Sequence, residues 1–446
     1  MAIMPPPRGP SDLVICPGQN TAGGGIVMSQ SASKQKTLIF ICTVLFLDAA
    51  GFSLIMPIMP DLISGMATLT NAQAARIAGY LLFAFAIMQF VFAPILGSLS
   101  DRYGRRPVLL LALVGFTLDY FLMAWAPTLF WLFAARIISG ICGATFAAAN
   151  ASIVDISCPE DRARLFGLSS AAIGLGFVFG PAIGGILGEY HVRLPFIAAG
   201  GLTAIALLYG IFTFPETLQD EHRRPFSLKR ANPVGSLLAI ARYRVVLILL
   251  AALFFIQLAN HSYSSIWAFY VKEITGWTPF LIGLSVSFYG ILMAGVQGGL
   301  TGPAVKAMGE IRLVYLCVCA GLLSFGILAF AQNGGMIYLG ILTGALSGFI
   351  GPSMQSQMTC RTPADAQGEL QGAITSLYSI ASVLSPPVMA LIFAAHSDDK
   401  GYYLPGAPFL LAAGLILISM CIATLAFSQM RWTNREAIDL SVSPER

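Results

Sequence analysis

The chain has 446 residues, of which 57% are hydrophobic and only 10% charged, with a mean hydropathy of +0.78. A soluble domain carries roughly a quarter charged residues because its surface faces water, so this composition excludes an ordinary soluble domain. The net charge of +4 comes from basic residues scattered over many segments, which argues against a nucleic-acid partner, since that would need one basic face.

Residues 1–36 differ from the rest. PPPRGP, TAGGG and SQSASK are rich in Pro, Gly and Ser and cannot bury a core, so a disordered tail is expected. The apolar run Leu13–Cys16 is too short for a secretory signal, which needs about 7–15 apolar residues. Met1 and Met28 are both candidate starts.

Apolar stretches then follow at about 37–60, 76–98, 107–125, 129–153, 163–188 and 194–214, and again at 244–271, 279–301, 311–330, 334–358, 367–395 and 405–428. A hydrocarbon layer about 30 Å thick needs roughly 20 residues of helix per crossing, and helices satisfy their backbone hydrogen bonds within each segment. The expected fold is therefore an all-α membrane protein of twelve spans, with membrane lipid as its surroundings. An even number of crossings puts both termini on one side. Twenty Lys and Arg residues lie in segments on that side and four (Arg76, Arg193, Lys272, Lys400) on the other. By the positive-inside bias, the termini are expected in the cytoplasm. The eight cysteines are scattered without a CxxC and read as small apolar residues.

The one long polar interior stretch, 215–243, separates residues 37–214 from 244–428 and reads as a cytoplasmic linker; 429–446 is a second cytoplasmic tail. The two six-span units repeat. Gly97 and Gly104 after span 2 match Gly302 and Gly309 after span 8 at an offset of 205, as Pro181 matches Pro386, while Pro159/Pro363 and Asp161/Asp365 are offset by 204.

Residues 97–107 read GSLSDRYGRRP. Gly97 and Gly104 permit a tight reversal, and Asp101, Arg102, Arg105 and Arg106 place mixed charge at the membrane face. A loop that only sets topology is the alternative reading. In span 5, Gly167, Gly176, Gly180-Pro181 and Gly184-Gly185 give a side-chain-free ridge for close helix approach. Within the spans, Asp48, Asp119 and Arg136 are costly to insert, on the order of 2.5–3.5 kcal/mol each, and such residues usually face a cavity and work. Structural ion pairing is the alternative, above all for Asp119 and Arg136. Gln89, Asn150, Gln257, Asn260, His261, Gln297, Gln355 and Gln357 are polar candidates for a substrate cavity.

These motifs resemble those of the major facilitator superfamily, in its twelve-span drug/proton antiporter branch. The first half is similar to tetracycline-efflux pumps through LDAAGFSLIMPIMPDL (47–62), TLDY (117–120), ARIISGICGATFAAANASIVDI (135–156) and 160–185, and QGELQGAITSL (367–377) continues the likeness in the second. The resemblance implies two six-helix pseudo-repeats and a bacterial inner-membrane location. It also implies a proton-coupled exporter of a drug-like molecule, with protons and a small molecule as partners and the proton gradient in place of any cofactor. A symporter or exporter of a native metabolite is the alternative. It implies further that Asp48, Asp119 and Arg136 handle the proton. The loop residues with Asp155 then latch the two halves, Asp101 facing the N-terminus of span 11 and an arginine pairing with Asp155. One departure stands out: Met293 in span 8 and Gly321 in span 9 occupy positions where tetracycline pumps commonly carry a histidine and an acid.

Overall fold

The computed structural model describes residues 24–143, 145–158, 161–224, 240–363, 366–398 and 402–442. The rest of the expected tails, linker residues 225–239, Pro159, Asp365 and Lys400 lie outside the described residues. Among the described residues, twelve helices are long and apolar enough to cross a membrane: Lys34–Met66, Asn71–Tyr103, Arg105–Trp125, Leu129–Ile156, Arg164–Tyr190 and Leu194–Thr213, then Arg244–Thr275, Pro279–Met308, Glu310–Ala329, Gly334–Thr359, Gln367–Ser397 and Ala407–Ser428. They are spans 1 to 12 below. The first helix begins at Gly24, inside the segment expected to be an unstructured tail. Its backbone runs on without a break into span 1. Large apolar side chains such as Phe130, Phe212 and Leu425 stand exposed on the outside, the surface a hydrocarbon solvent requires.

Several spans are broken. Span 1 tightens to a 3-10 turn at Met56–Ile58, where Pro57 sits; span 8 widens to a π-turn at Val296–Leu300; span 10 tightens at Leu346–Phe349. Span 4 interrupts its helix after Cys142. Breaks inside a membrane survive only where other groups satisfy the released backbone. Here a glutamine does so in each half: Gln89 donates to the Gly143 carbonyl at 3.0 Å and Gln297 to that of Gly348 at 3.3 Å. The two glycines are 205 residues apart, so the internal repeat extends to this detail.

The halves meet through two crossings related by the same repeat. Span 2 lies on span 11, where a methyl on Gly79 would overlap Ala390 and come within 3.1 Å of the Pro386 carbonyl. Span 8 lies on span 5, where a methyl on Gly283 would overlap the Pro181 carbonyl. Polar contacts joining the halves cluster at the face away from the termini. Lys272 pairs with Asp61, Asn71 donates to Glu273 at 2.7 Å and to the Phe269 carbonyl at 2.9 Å, and the Phe280 amide donates to Glu189 at 3.4 Å. At the face bearing the termini, a methyl on Gly97, Gly302, Gly309 or Gly368 would meet no atom within 4 Å. The polar contacts between the halves close the far face.

Candidate functional site

The loop after span 2 forms a charged knot. Gly104 has φ +105°, a conformation glycine adopts without strain, and it lets span 3 start immediately with Arg105. The Arg105 guanidinium reaches Asp101 at 2.5 Å, Asp155 at 3.1 Å and the Ser100 hydroxyl at 3.1 Å, so the expected arginine–Asp155 pair is present. Arg106 donates to the Ile211 carbonyl at 2.5 Å, while Arg102 lies over the ring of Tyr103. Asp101 gives its carboxylate to Arg105 here, where an approach to the N-terminus of span 11 was expected.

Glu216, in the first turn of the linker, completes the knot and was not visible as a functional residue in the sequence. Its carboxylate accepts from the backbone amides of Arg105 at 2.8 Å and Arg106 at 3.1 Å, and from those of Thr217 and Leu218 at 3.0 Å each. Span 3 begins after a glycine and so lacks the Ser, Thr, Asp or Asn that usually caps a helix. That gap was the available signal that a remote acid must supply the cap.

The span-5 ridge packs as its spacing implies. Gly176 and Gly180 lie on the backbone of span 1 near Phe46 and Ala50, and Gly184 lies on Leu54. The Ser53 hydroxyl donates across to the Gly176 carbonyl at 3.2 Å. Gly185 turns the other way, against Pro279 and Phe280 of span 8, and a methyl on Gly167 would meet nothing within 4 Å. Span 5 thus holds span 1 on one side and the opposite half on the other.

Three cavities among the described residues bear on the site. The first, about 300 Å³, is walled by both halves: Asp48, Gln89 and Phe177 from one, His261, Ser264 and Ser382 from the other. Phe52, Phe85 and Phe177 form its aromatic wall, with ring centroids 5.9 and 6.3 Å apart. Beyond Phe52 and Leu82 a narrow cavity of about 40 Å³ reaches Arg136 and Ser265. Arg136 forms a buried ion pair with Asp119 and also touches the Met123 sulfur at 2.9 Å. The neighbouring Tyr120 hydroxyl presses on Gly51, three residues from Asp48. Asp48 therefore faces the central cavity, whereas Asp119 is sealed behind Arg136.

The third cavity, about 330 Å³, belongs to the second half and is lined by Gln257, Asn260, Tyr289, Gln297, Gln355 and Tyr378, among others. Met293 and Gly321 line it too, so both departures noted in the sequence fall in one place. Asn150 is not among the residues that line these three cavities. Gln357 instead bonds Glu310 at the start of span 9, because its register turns it toward that helix end.

The model of the Major Facilitator Superfamily matches residues 41–386 and 262–437. Among curated relatives, tetracycline resistance protein, class C, of Escherichia coli is 39% identical over 87% of this chain and 96% of its own length. The class G protein of Vibrio anguillarum is 36% identical over 81% and 91%. Among solved structures, a bacterial homolog of the human lysosomal transporter Spinster superposes with a TM-score of 0.70 at 14% identity, covering 88% of this chain and 95% of that one.

Proposed function

The chain belongs to the major facilitator superfamily, in the drug/proton antiporter branch beside the tetracycline-efflux pumps, and from that premise we propose how its own residues drive export. The observation that carries the reading is Asp48. It is an acid within a span, at the wall of a cavity built by both halves. A carboxylate so placed can take a proton when the cavity faces one side and release it when the cavity faces the other. No cofactor enters; the proton gradient supplies the energy, about 2.3 kcal/mol per charge for each 100 mV, with the pH difference added.

The protein is a multi-pass membrane protein of bacterial type, and the charge bias supports termini in the cytoplasm of an inner-membrane protein. The face away from the Lys272–Asp61 contact is then the cytoplasmic one, and a drug enters the central cavity from it. Closing that face and parting Lys272 from Asp61 turns the cavity outward. Asp101 then leaves Arg105 for the N-terminus of span 11, where a helix dipole favours an anion. Arg136, between Asp119 and the narrow cavity, carries the charge response from Asp48 to the buried pair.

The relatives' names make tetracycline the first compound to supply. In proteoliposomes with a pH-sensitive dye inside, wild-type protein should couple drug movement to proton movement. Asp48→Asn, which keeps size and hydrogen bonding, should fold normally and lose the proton flux while retaining downhill exchange. Proton movement at the wild-type ratio in Asp48→Asn would exclude it as the coupling group.

A further inference from the structure

The central cavity and the second-half cavity share spans 7 and 11 but differ in chemistry. The first holds Asp48 and His261. The second has no carboxylate, amine, guanidinium or imidazole in its wall; its side-chain polar groups are amides, phenols and the Ser347 hydroxyl. We propose that this cavity is the subsite for an uncharged, hydrogen-bonding portion of the substrate, and that the missing side chain at Gly321 sets this charge preference. The inference rests on the export reading and adds a substrate class to it.

An ion moved into such a space finds no counter-charge, and an unpaired buried charge is far more expensive than a bonded neutral group. An amide offers two donors and two acceptor lone pairs. Asn260 donates to Gln257 at 3.3 Å, Gln297 to Gly348 at 3.3 Å and Gln355 to Gln371 at 3.1 Å. Each bond uses one donor, so each amide keeps a second donor and acceptor capacity to offer a ligand. Tyr289 stacks on Tyr263 with centroids 5.4 Å apart and 20° between planes. The stack gives the cavity a rigid aromatic side suited to a flat ring.

Space does not explain the absence of an acid. A Cβ on Gly321 would meet only the Cβ of Ser347, at 3.6 Å, an ordinary contact. A side chain there would point into open cavity, so an aspartate fits sterically and would change only the charge. Gly321 is therefore a specificity-determining position.

The test measures binding to purified full-length protein in nanodiscs by equilibrium dialysis. The probes are radiolabelled chloramphenicol, which is uncharged and carries an amide and hydroxyls, and ethidium, a permanent cation. Wild type should bind chloramphenicol at least about tenfold more tightly, a fraction of what an unpaired buried ion costs. Gln257→Leu should weaken chloramphenicol about fivefold, the worth of one ordinary hydrogen bond, and leave ethidium unchanged. Gly321→Asp should reverse the preference. Equal or tighter ethidium binding by wild type, binding of neither probe, or indifference of chloramphenicol to Gln257→Leu would each overturn the proposal. Should Gly321→Asp fail to fold, wild type and Gln257→Leu still decide it. Gradient-driven tetracycline movement, run in parallel, reports on the export reading alone: its loss with the binding preference intact discards export and keeps the subsite, and the converse discards the subsite and keeps export.

Discussion

Replacing Glu216 by alanine removes one carboxylate and four backbone hydrogen bonds at a single point. Two of the donors are the first amides of span 3, which no intrahelical carbonyl can satisfy. Loss of a helix cap costs about 1 kcal/mol and up to about 2, and loss of a negative charge at a partly buried helix N-terminus costs a similar amount. The two terms describe the same contact and are not added, so about 2 kcal/mol is expected. For a cooperative unit of roughly 200 residues that corresponds to a fall in melting temperature of about 4–8 °C. Glu216→Gln keeps one acceptor oxygen but turns an NH2 toward amides that are themselves donors, and should recover no more than about half. Tryptophan-fluorescence melting of the purified protein measures the shift. Hydrogen exchange at the amides of Arg105, Arg106, Thr217 and Leu218 should accelerate together, because one group holds all four. A Glu216→Ala protein melting within about 1 °C of wild type, or exchange faster at only one of these segments, would refute the claim that the linker caps span 3.

Gly180→Ala puts a methyl 2.5 Å from the Ala50 carbonyl and onto Ser53; it should cost about 1–3 kcal/mol by overpacking, while Gly167→Ala, with nothing within 4 Å, should leave the melting temperature unchanged. Arg136→Ala leaves Asp119 buried without its cation and should cost about 3–5 kcal/mol. The neutral pair Asp119→Asn with Arg136→Gln should restore most of that stability without restoring proton-driven drug movement in proteoliposomes. Full recovery of transport would make the pair purely structural.

The spans were legible because bilayer thickness and backbone satisfaction leave few options for so apolar a chain. The Arg105–Asp155 pair and the span-5 ridge were legible because charge and glycine spacing are local signals. What sequence could not supply was reach across the fold. Glu216 sits in a stretch that looks like solvated linker, and only the position of Gly104 beneath it shows why the span-3 helix needs it. Asn150 and Gln357 were placed in a cavity because they are polar and within spans. A helix offers several faces, however, and the register that turns Gln357 to Glu310 depends on the start of another helix. Asp101 shows a different limit: the sequence offers several arginines in one loop, and only the fold shows that Arg105 is the one that pairs with it.

The repeat explains how one chain joins a rigid machine to a divided site. The close contacts are duplicated: between the halves, Gly79 on Pro386 and Gly283 on Pro181, and within each half, a glutamine on a broken helix. Such contacts are backbone-to-backbone or backbone-to-amide, and they depend on small residues and on an amide of the right reach. The cavity walls carry no such constraint. In the first half they keep an acid, Asp48, within a wall shared with His261 of the other half; in the second they hold amides and an open position at Gly321. Because the charged groups of the two halves are not matched, a rocking motion that is symmetric in its contacts becomes asymmetric in what it binds on each side. That asymmetry is what a coupled exchange of a proton for a neutral group requires, and changing it takes only side chains that face empty space.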